Sequence, residues 1–238
     1  MRPKLWRAAA CLTLAGMSAL SQAQGVNAVE DYLANATMQK DNRPVIGLTR
    51  RADHIAVLVS FTSDTRDAAA REQEIHTMLR AALDRASAAG VELAVGSPIL
   101  SPVTRDNYAD LPLQWAGRED TSKADVLFKV PLTEDANASE NRINAFMRDI
   151  PRTGRGTIVR SSGRLLVVRN PAQYRADIIK LVAEDVRRNS EMFGADYRAS
   201  VDGVDKSVMW SQLNGTDVFL YVPYSYRIVG NADGGVNQ

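Results

Sequence analysis

The dipeptide Asn214-Gly215, set between two runs of alternating apolar residues, restricts this chain more than any other feature. A two-residue turn of that type closes antiparallel strands, and Asn-Gly supplies the positive φ angles it needs. The runs it joins are Ser207 to Gln212 and Thr216 to Val229. Ahead of them, Tyr174, Ile178, Val182, Val186 and Phe193 recur at helical spacing until Gly194, a left-handed terminator. Asn170, Pro171 and Gln173 predict the start of that helix, with Asn as cap, Pro at the first helical position and Gln reaching back. A two-residue turn places Trp210 opposite Phe219 and Val208 opposite Tyr221 on one face, and Met209 opposite Leu220 on the other. Both faces are then apolar and both need cover. The helices supply one cover, and the other comes either from elsewhere in the chain or from a neighbouring subunit. Trp210, Phe219 and Tyr221 are therefore the candidate subunit-contact residues.

The earlier chain repeats this grammar. Ile55, Val57, Val59 and Phe61 alternate as a strand buried on one face and partly on the other. A capping cluster, Thr62 to Thr65, precedes a helix whose Ile75, Met78, Leu79, Ala82, Leu83 and Ala86 form one stripe, and Gly90 ends it. Val91 to Pro102 is extended, with Pro98 and Pro102 confining it to a sheet edge or a bulged end. Thr104 to Lys123, rich in turn formers, crosses between two halves. Val126, Phe128 and Val130 open the second half, followed by a short helix that Asn137 and Glu140 cap and Pro151 closes. Thr157 to Arg160 and Arg164 to Arg169 read as a hairpin turning at Ser161-Ser162-Gly163. Short connections favour antiparallel pairing, so the fold class expected is α+β: mainly antiparallel strands with two long helices packed on the sheet, and a strand-helix-strand theme used twice.

Compartment is legible at the N-terminus. Arg2, Lys4 and Arg7 precede an Ala/Leu-rich run, Ala8 to Leu20, and then Ser21-Gln22-Ala23, the pattern of a bacterial secretory signal peptide cut before Gln24. The run is too short to span a bilayer, so the mature chain has no transmembrane segment. Cleavage removes the three cations and takes the net charge from +1 to −2, which speaks against nucleic acid as a partner. It also removes Cys11, the one cysteine, and with it any disulfide, thiolate metal site or cysteine nucleophile. The expected organisation is a signal peptide over 1–23, a lead-in segment over 24–44, a folded domain over 45–230 with halves about 45–103 and 124–230, and a loose tail over 231–238.

No catalytic, cofactor or metal signature stands out. His54 and His76 are isolated, and a surface or helix-pair role suits them better than ligation. The acidic neighbours Glu119-Asp120, Glu134-Asp135 and Glu184-Asp185 diverge as solvated surface, and Gly154-Arg155-Gly156 lacks the third glycine of a dinucleotide loop. One constellation stands apart. From Arg148 to Arg175 there are seven arginines against the single acid Asp149. Across a hairpin, Arg160 and Arg164 would face each other, and opposed like charges destabilise a strand pair unless something offsets them. Either nearby carboxylates and water do so, or Arg152, Arg155, Arg160, Arg164 and Arg169 form a patch for an anionic envelope component, since guanidinium binds phosphate and carboxylate bidentately.

Certain stretches resemble the SIMPL domain family of bacterial envelope proteins. They are Gly47 with Ala52-Asp53-His54-Ile55-Ala56 leading into a strand, the Ala-rich helix from Asp67 to Gly90, the strand carrying Leu100-Ser101-Pro102, the helix ending Met192-Phe193-Gly194, and the closing strand Val218 to Val229. The similarity covers about residues 45–229. It implies a periplasmic, non-catalytic protein linked with envelope stress and sometimes with oligomers, and it carries over no catalytic residues. The function expected is thus non-enzymatic binding or assembly in the envelope, with no cofactor and with a homo-oligomer or an anionic envelope component as partner. The alternatives are an enzyme acting on an envelope substrate between the two halves, and an oligomeric scaffold.

Overall fold

A computed structural model describes residues 44–96 and 100–230. The leader, nearly all of the lead-in segment, Pro98 and the tail over 231–238 lie outside the described residues. Among the described residues the architecture is α+β, with antiparallel sheets and three α-helices.

The organising strand is β2 (His54–Ser63). Its partner β6 (Ser122–Pro131) runs antiparallel along its whole length, from His54 opposite Pro131 to Ser63 opposite Ser122. Beyond β6 lie β3 (Glu92–Val95) and then β4 (Ser101–Pro102), so the run expected as one extended piece is two antiparallel strands, of which β3 is flanked on both sides and only β4, with Pro102, is at the edge; β5 (Gln114–Trp115) pairs with the start of β6. The sheet thus interleaves strands from both halves of the sequence. On its first face Ile55, Val57, Val59 and Phe61 meet Val126, Phe128 and Val130 beneath two helices, α1 (Ala68–Ala89) and α2 (Ala136–Asp149). Phe128 joins Phe61 and Phe146 edge-on, at ring separations of 5.9 and 5.2 Å, the spacing favoured by aromatic quadrupoles.

The helix ends follow local chemistry. Asp67 caps α1 by accepting the Ala70 N–H at 2.8 Å, and Gly90, at φ 64°, closes it with the Gly90 and Val91 amides turned back onto the Ser87 and Ala86 carbonyls. For α2 the cap is Asp135, which accepts the Asn137 N–H, and not the Asn137–Glu140 pair expected. Asn170 likewise makes no side-chain cap. Residues Pro171–Tyr174 form a 3-10 turn, and the last helix, α3 (Arg175–Glu191), starts one turn later than its apolar spacing suggests. It stops before Phe193, which is 59% exposed and outside the core, although Gly194 does hold the expected positive φ.

Two expected hairpins are corrected. β7 (Thr157–Arg160) and β8 (Leu165–Val167) do not pair with each other. Both run antiparallel along β2, one beyond the other, as a single edge strand interrupted at 161–164. The interruption is stitched to β2: Ser161 N–H donates to the Leu58 carbonyl at 2.8 Å, and the Ser162 hydroxyl accepts the Leu58 N–H at 2.9 Å. The terminal hairpin exists, but β10 (Met209–Gln212) meets β11 (Asp217–Tyr221) with Trp210 opposite Leu220 and Ser211 opposite Phe219. Asn214 closes a longer loop by accepting the Thr216 and Asp217 amides, each at 2.8 Å, and the pairing slips by one residue from the two-residue expectation. In a sheet, that slip exchanges the faces.

β1 (Leu48–Arg51) completes a three-stranded sheet on the other side of β11. Gly47 precedes it where a side chain would meet the Leu220 carbonyl oxygen at 2.3 Å. The long run Thr216 to Val229 breaks at Pro223, and its second part, β12 (Ser225–Gly230), pairs instead with β9 (Tyr197–Asp202), a strand the sequence pattern does not announce. Ile178, Val182 and Val186 of α3 join Val218, Leu220 and Val222 to the first-face core.

Candidate functional site

The second face of the main sheet carries His54, Ala56, Leu58 and Ser60 from β2, and Lys123, Asp125, Leu127 and Lys129 from β6. Its centre is a small apolar cluster of Ala56, Leu58, Leu127, Leu165 and Val167, closed over by Leu100 and Trp210. Trp210 comes from the three-stranded sheet. Its indole N–H donates to the Leu166 carbonyl at 3.1 Å, and Gln212, two residues on, accepts the Leu166 N–H at 2.9 Å. Two side chains thus satisfy both outward backbone groups of an edge strand, which dock the small sheet and shield an edge that could otherwise recruit another chain. The second cover is supplied by the same chain.

Beside Trp210 opens a cleft of about 430 Å³ between the main sheet and the segment leading into α3. Its wall is mainly apolar, with Leu100, Val167, Val168, Val208 and Trp210, and among the described residues its charged lining is Lys129, Arg169 and Arg175 with no carboxylate. Each cation is held differently. Alternation on β6 brings Lys129 to this face, its side chain 15% exposed and its ammonium 2.7 Å from Glu92. The Lys129 hydrogen bond, opposed by burial, holds the Glu92 carboxyl below the usual range. The guanidinium of Arg175 is tethered to the Val204 and Lys206 carbonyls. Arg169 has its backbone N–H on Asp53 at 2.7 Å, and its Nη2 lies 3.2 Å from His54 Nε2.

His54 is a correction to the expected surface histidine. It is 1% exposed, and burial, followed by the nearby charges of Lys129 and Arg169, pushes its pKa below the ordinary value. A neutral imidazole can accept from Arg169 through Nε2 and so direct the guanidinium without cancelling its charge.

The five candidate anion-patch arginines are strung along one edge of the sheet. Arg155 is at one end, bidentate on Asp64 at 2.6 and 2.9 Å. Arg160 and Arg164 sit in the middle and clasp the two oxygens of Glu140 from either side, each at 2.6 Å, so a local carboxylate offsets their repulsion. Arg152 is exposed, and Arg169 alone of the five reaches the cleft. Of the candidate subunit contacts, Trp210 is committed to the internal docking just described, Tyr221 is 2% exposed, and Phe219 stacks beside Tyr221 at 6.0 Å. The register slip puts Trp210 on the Leu220 face, away from the other two.

Lys129 and Arg175 were the residues to find. Their signals were a lone lysine inside an apolar strand and an arginine just past a Pro-opened turn. Elsewhere, His76 packs edge-on against Tyr108 at 5.9 Å, with Arg80 over the same ring, beside a shallower cleft. Ser60 donates to Asp125 at 2.5 Å and lies 2.6 Å from Ser161, while Lys123 pairs with Asp125 at 2.7 Å. That chain of groups contains no imidazole to serve as a base. Among the described residues no cluster of His, Cys, Asp and Glu is arranged to hold a metal ion, and no helix is long and apolar enough to cross a membrane. No protein-family model matches the chain, and no curated protein matches its sequence.

Proposed function

We propose that the chain is an exported, non-enzymatic, SIMPL-like binding protein of the bacterial envelope that takes up an anionic ligand in the cleft beside Trp210. What supports this reading is the cleft's charge: among the described residues, three cations and no carboxylate line a concave surface of about 430 Å³, within the roughly 300–1,000 Å³ of small-molecule sites. Arg169 contributes most, because among the described residues its guanidinium contacts neutral His54 and no acid. Envelope stress, which releases or damages anionic envelope material, is the setting in which such a binder would act.

Backbone amide NMR of the chain during titration with sodium phosphate tests the anion site. Saturable shifts centred on Arg169, Asn170 and Ser207 are expected, and an unchanged spectrum into the millimolar range would overturn it. Export is tested separately: protein recovered from a periplasmic fraction should begin at Gln24, and retention of Met1 in the cytosol would refute that part.

Assembly is a second reading, favoured by exposed Met192, Phe193, Tyr197 and Val229 at the far end of α3 and its neighbouring two-stranded sheet. Sedimentation velocity should then reveal a self-associated species that Phe193→Ser dissociates, and a monomer at all concentrations would exclude it.

A further inference from the structure

Resting on the binding reading, we infer that the occupant of this cleft is a single-chain amphiphile, an aliphatic tail ending in a carboxylate or a phosphate monoester. A bare anion would satisfy Arg169 but leave the half-buried Leu100 and Trp210 of the wall facing water, the costly arrangement for apolar surface. A wholly apolar ligand reverses the problem and leaves the Arg169 guanidinium without an acidic partner among the described residues. Both halves of the lining are used only by a molecule with an acidic end and a greasy end. The tail lies against the Trp210 ring and the valines, and the head meets the guanidinium of Arg169.

The head chemistry follows from the donors. Arg169 Nε and Nη1 have no partner among the described residues, and they leave N–H donors on both edges of the guanidinium for the oxygens of an acidic group. Lys129, held by Glu92, adds a point charge at the same end. The tail chemistry follows from size and shape. A cavity of about 430 Å³ takes one modest chain and is far too small for the hydrocarbon of a two-chain lipid. A polyanion is disfavoured because the three cations share one concavity and do not form a stripe along the surface.

Trp210 supplies the readout. The sequence holds three tryptophans, Trp6, Trp115 and Trp210, so Trp6→Phe with Trp115→Phe leaves the cleft indole as sole reporter. This chain is titrated below micelle formation with dodecanoate, dodecyl phosphate, dodecanol, acetate and inorganic phosphate. The expected result is a saturable blue shift with one or both of the acidic amphiphiles, at affinities at least roughly tenfold above dodecanol and above the short anions. Which of the two binds more tightly distinguishes a carboxylate from a phosphate head. Arg169→Gln, a change at an exposed side chain, should weaken the acidic amphiphiles about tenfold and leave dodecanol unaffected. Dodecanol binding as tightly as its acidic counterparts would overturn the acidic head. Inorganic phosphate or acetate binding as tightly as the amphiphiles would overturn the tail while leaving the anion-binding reading intact. No response to any probe by folded protein would overturn both.

Discussion

Glu140 illustrates how much one side chain can decide. Burial pushes its carboxyl up, but hydrogen bonds from Arg164 and Arg160 outweigh that and hold it below the ordinary carboxylate range. Glu140→Gln leaves two guanidiniums close together around a neutral amide, and a loss of about 1–3 kcal/mol is expected, less than for a fully buried pair because the group is partly hydrated. Urea denaturation at pH 7 measures it. The contribution of Glu140 is present above its unfolded pKa and fades as acid protonates the folded carboxylate, so the gap between wild type and variant should narrow as pH falls through the depressed folded value. His54 acts on a different window. Its folded pKa is depressed, so the unfolded chain binds the proton more readily, and stability falls as pH drops through about 6.5 and levels off below the folded value. Urea midpoints between pH 8 and pH 5 should show this decline, and His54→Gln, which does not titrate, should flatten it. The arginine pair stood out in the sequence as a problem needing a solution. Its solution did not, because Glu140 lies about two dozen positions upstream of Arg164 and belongs to a helix, α2, and not to the arginines' edge strand.

At the level of elements, helix interiors and long strands were legible and ends and registers were not. The stripe Ile75, Met78, Leu79, Ala82 and Ala86 is buried where spacing puts it, and β2 and β6 are where alternation puts them. Turns failed by small amounts with large effects. Ser161-Ser162-Gly163 has hairpin composition, yet β7 and β8 gain more by both pairing with the buried strand β2 than with each other. The serine hydroxyl makes this affordable by replacing a ladder acceptor at the break. Ser162→Ala removes that acceptor from the Leu58 N–H and should cost about 1–2 kcal/mol, with faster amide exchange at Leu58 than at its β2 neighbours. If Leu58 exchange is unaltered, the interruption does not depend on the serine. β9 was missed for a related reason: its side chains are mostly exposed or half-buried, so it has no apolar alternation to read, and only pairing with β12 makes it a strand.

Across the whole molecule, the two sheets meet through Trp210 and Gln212 on the edge strand β8, and the candidate cleft exists only because they do. Trp210→Phe with Gln212→Leu keeps apolar bulk but strips both side-chain bonds from Leu166. Exposing that edge should speed exchange at the Leu166 amide and promote self-association, visible by light scattering, whereas either single change should do less. Unchanged scattering by the double variant would mean the edge is shielded by something else. Local order, in the form of which segments are helices, which strands are buried and which class of fold results, was determined by the sequence alone, since apolar periodicity and glycine or aspartate at helix ends act over a few residues. Which strands are neighbours, how β10 registers against β11, and that Lys129, Arg169, Arg175 and Trp210 share one cleft were decided only in three dimensions. Those outcomes depend on competition between distant partners for the same buried backbone groups, and no short window of residues contains both competitors.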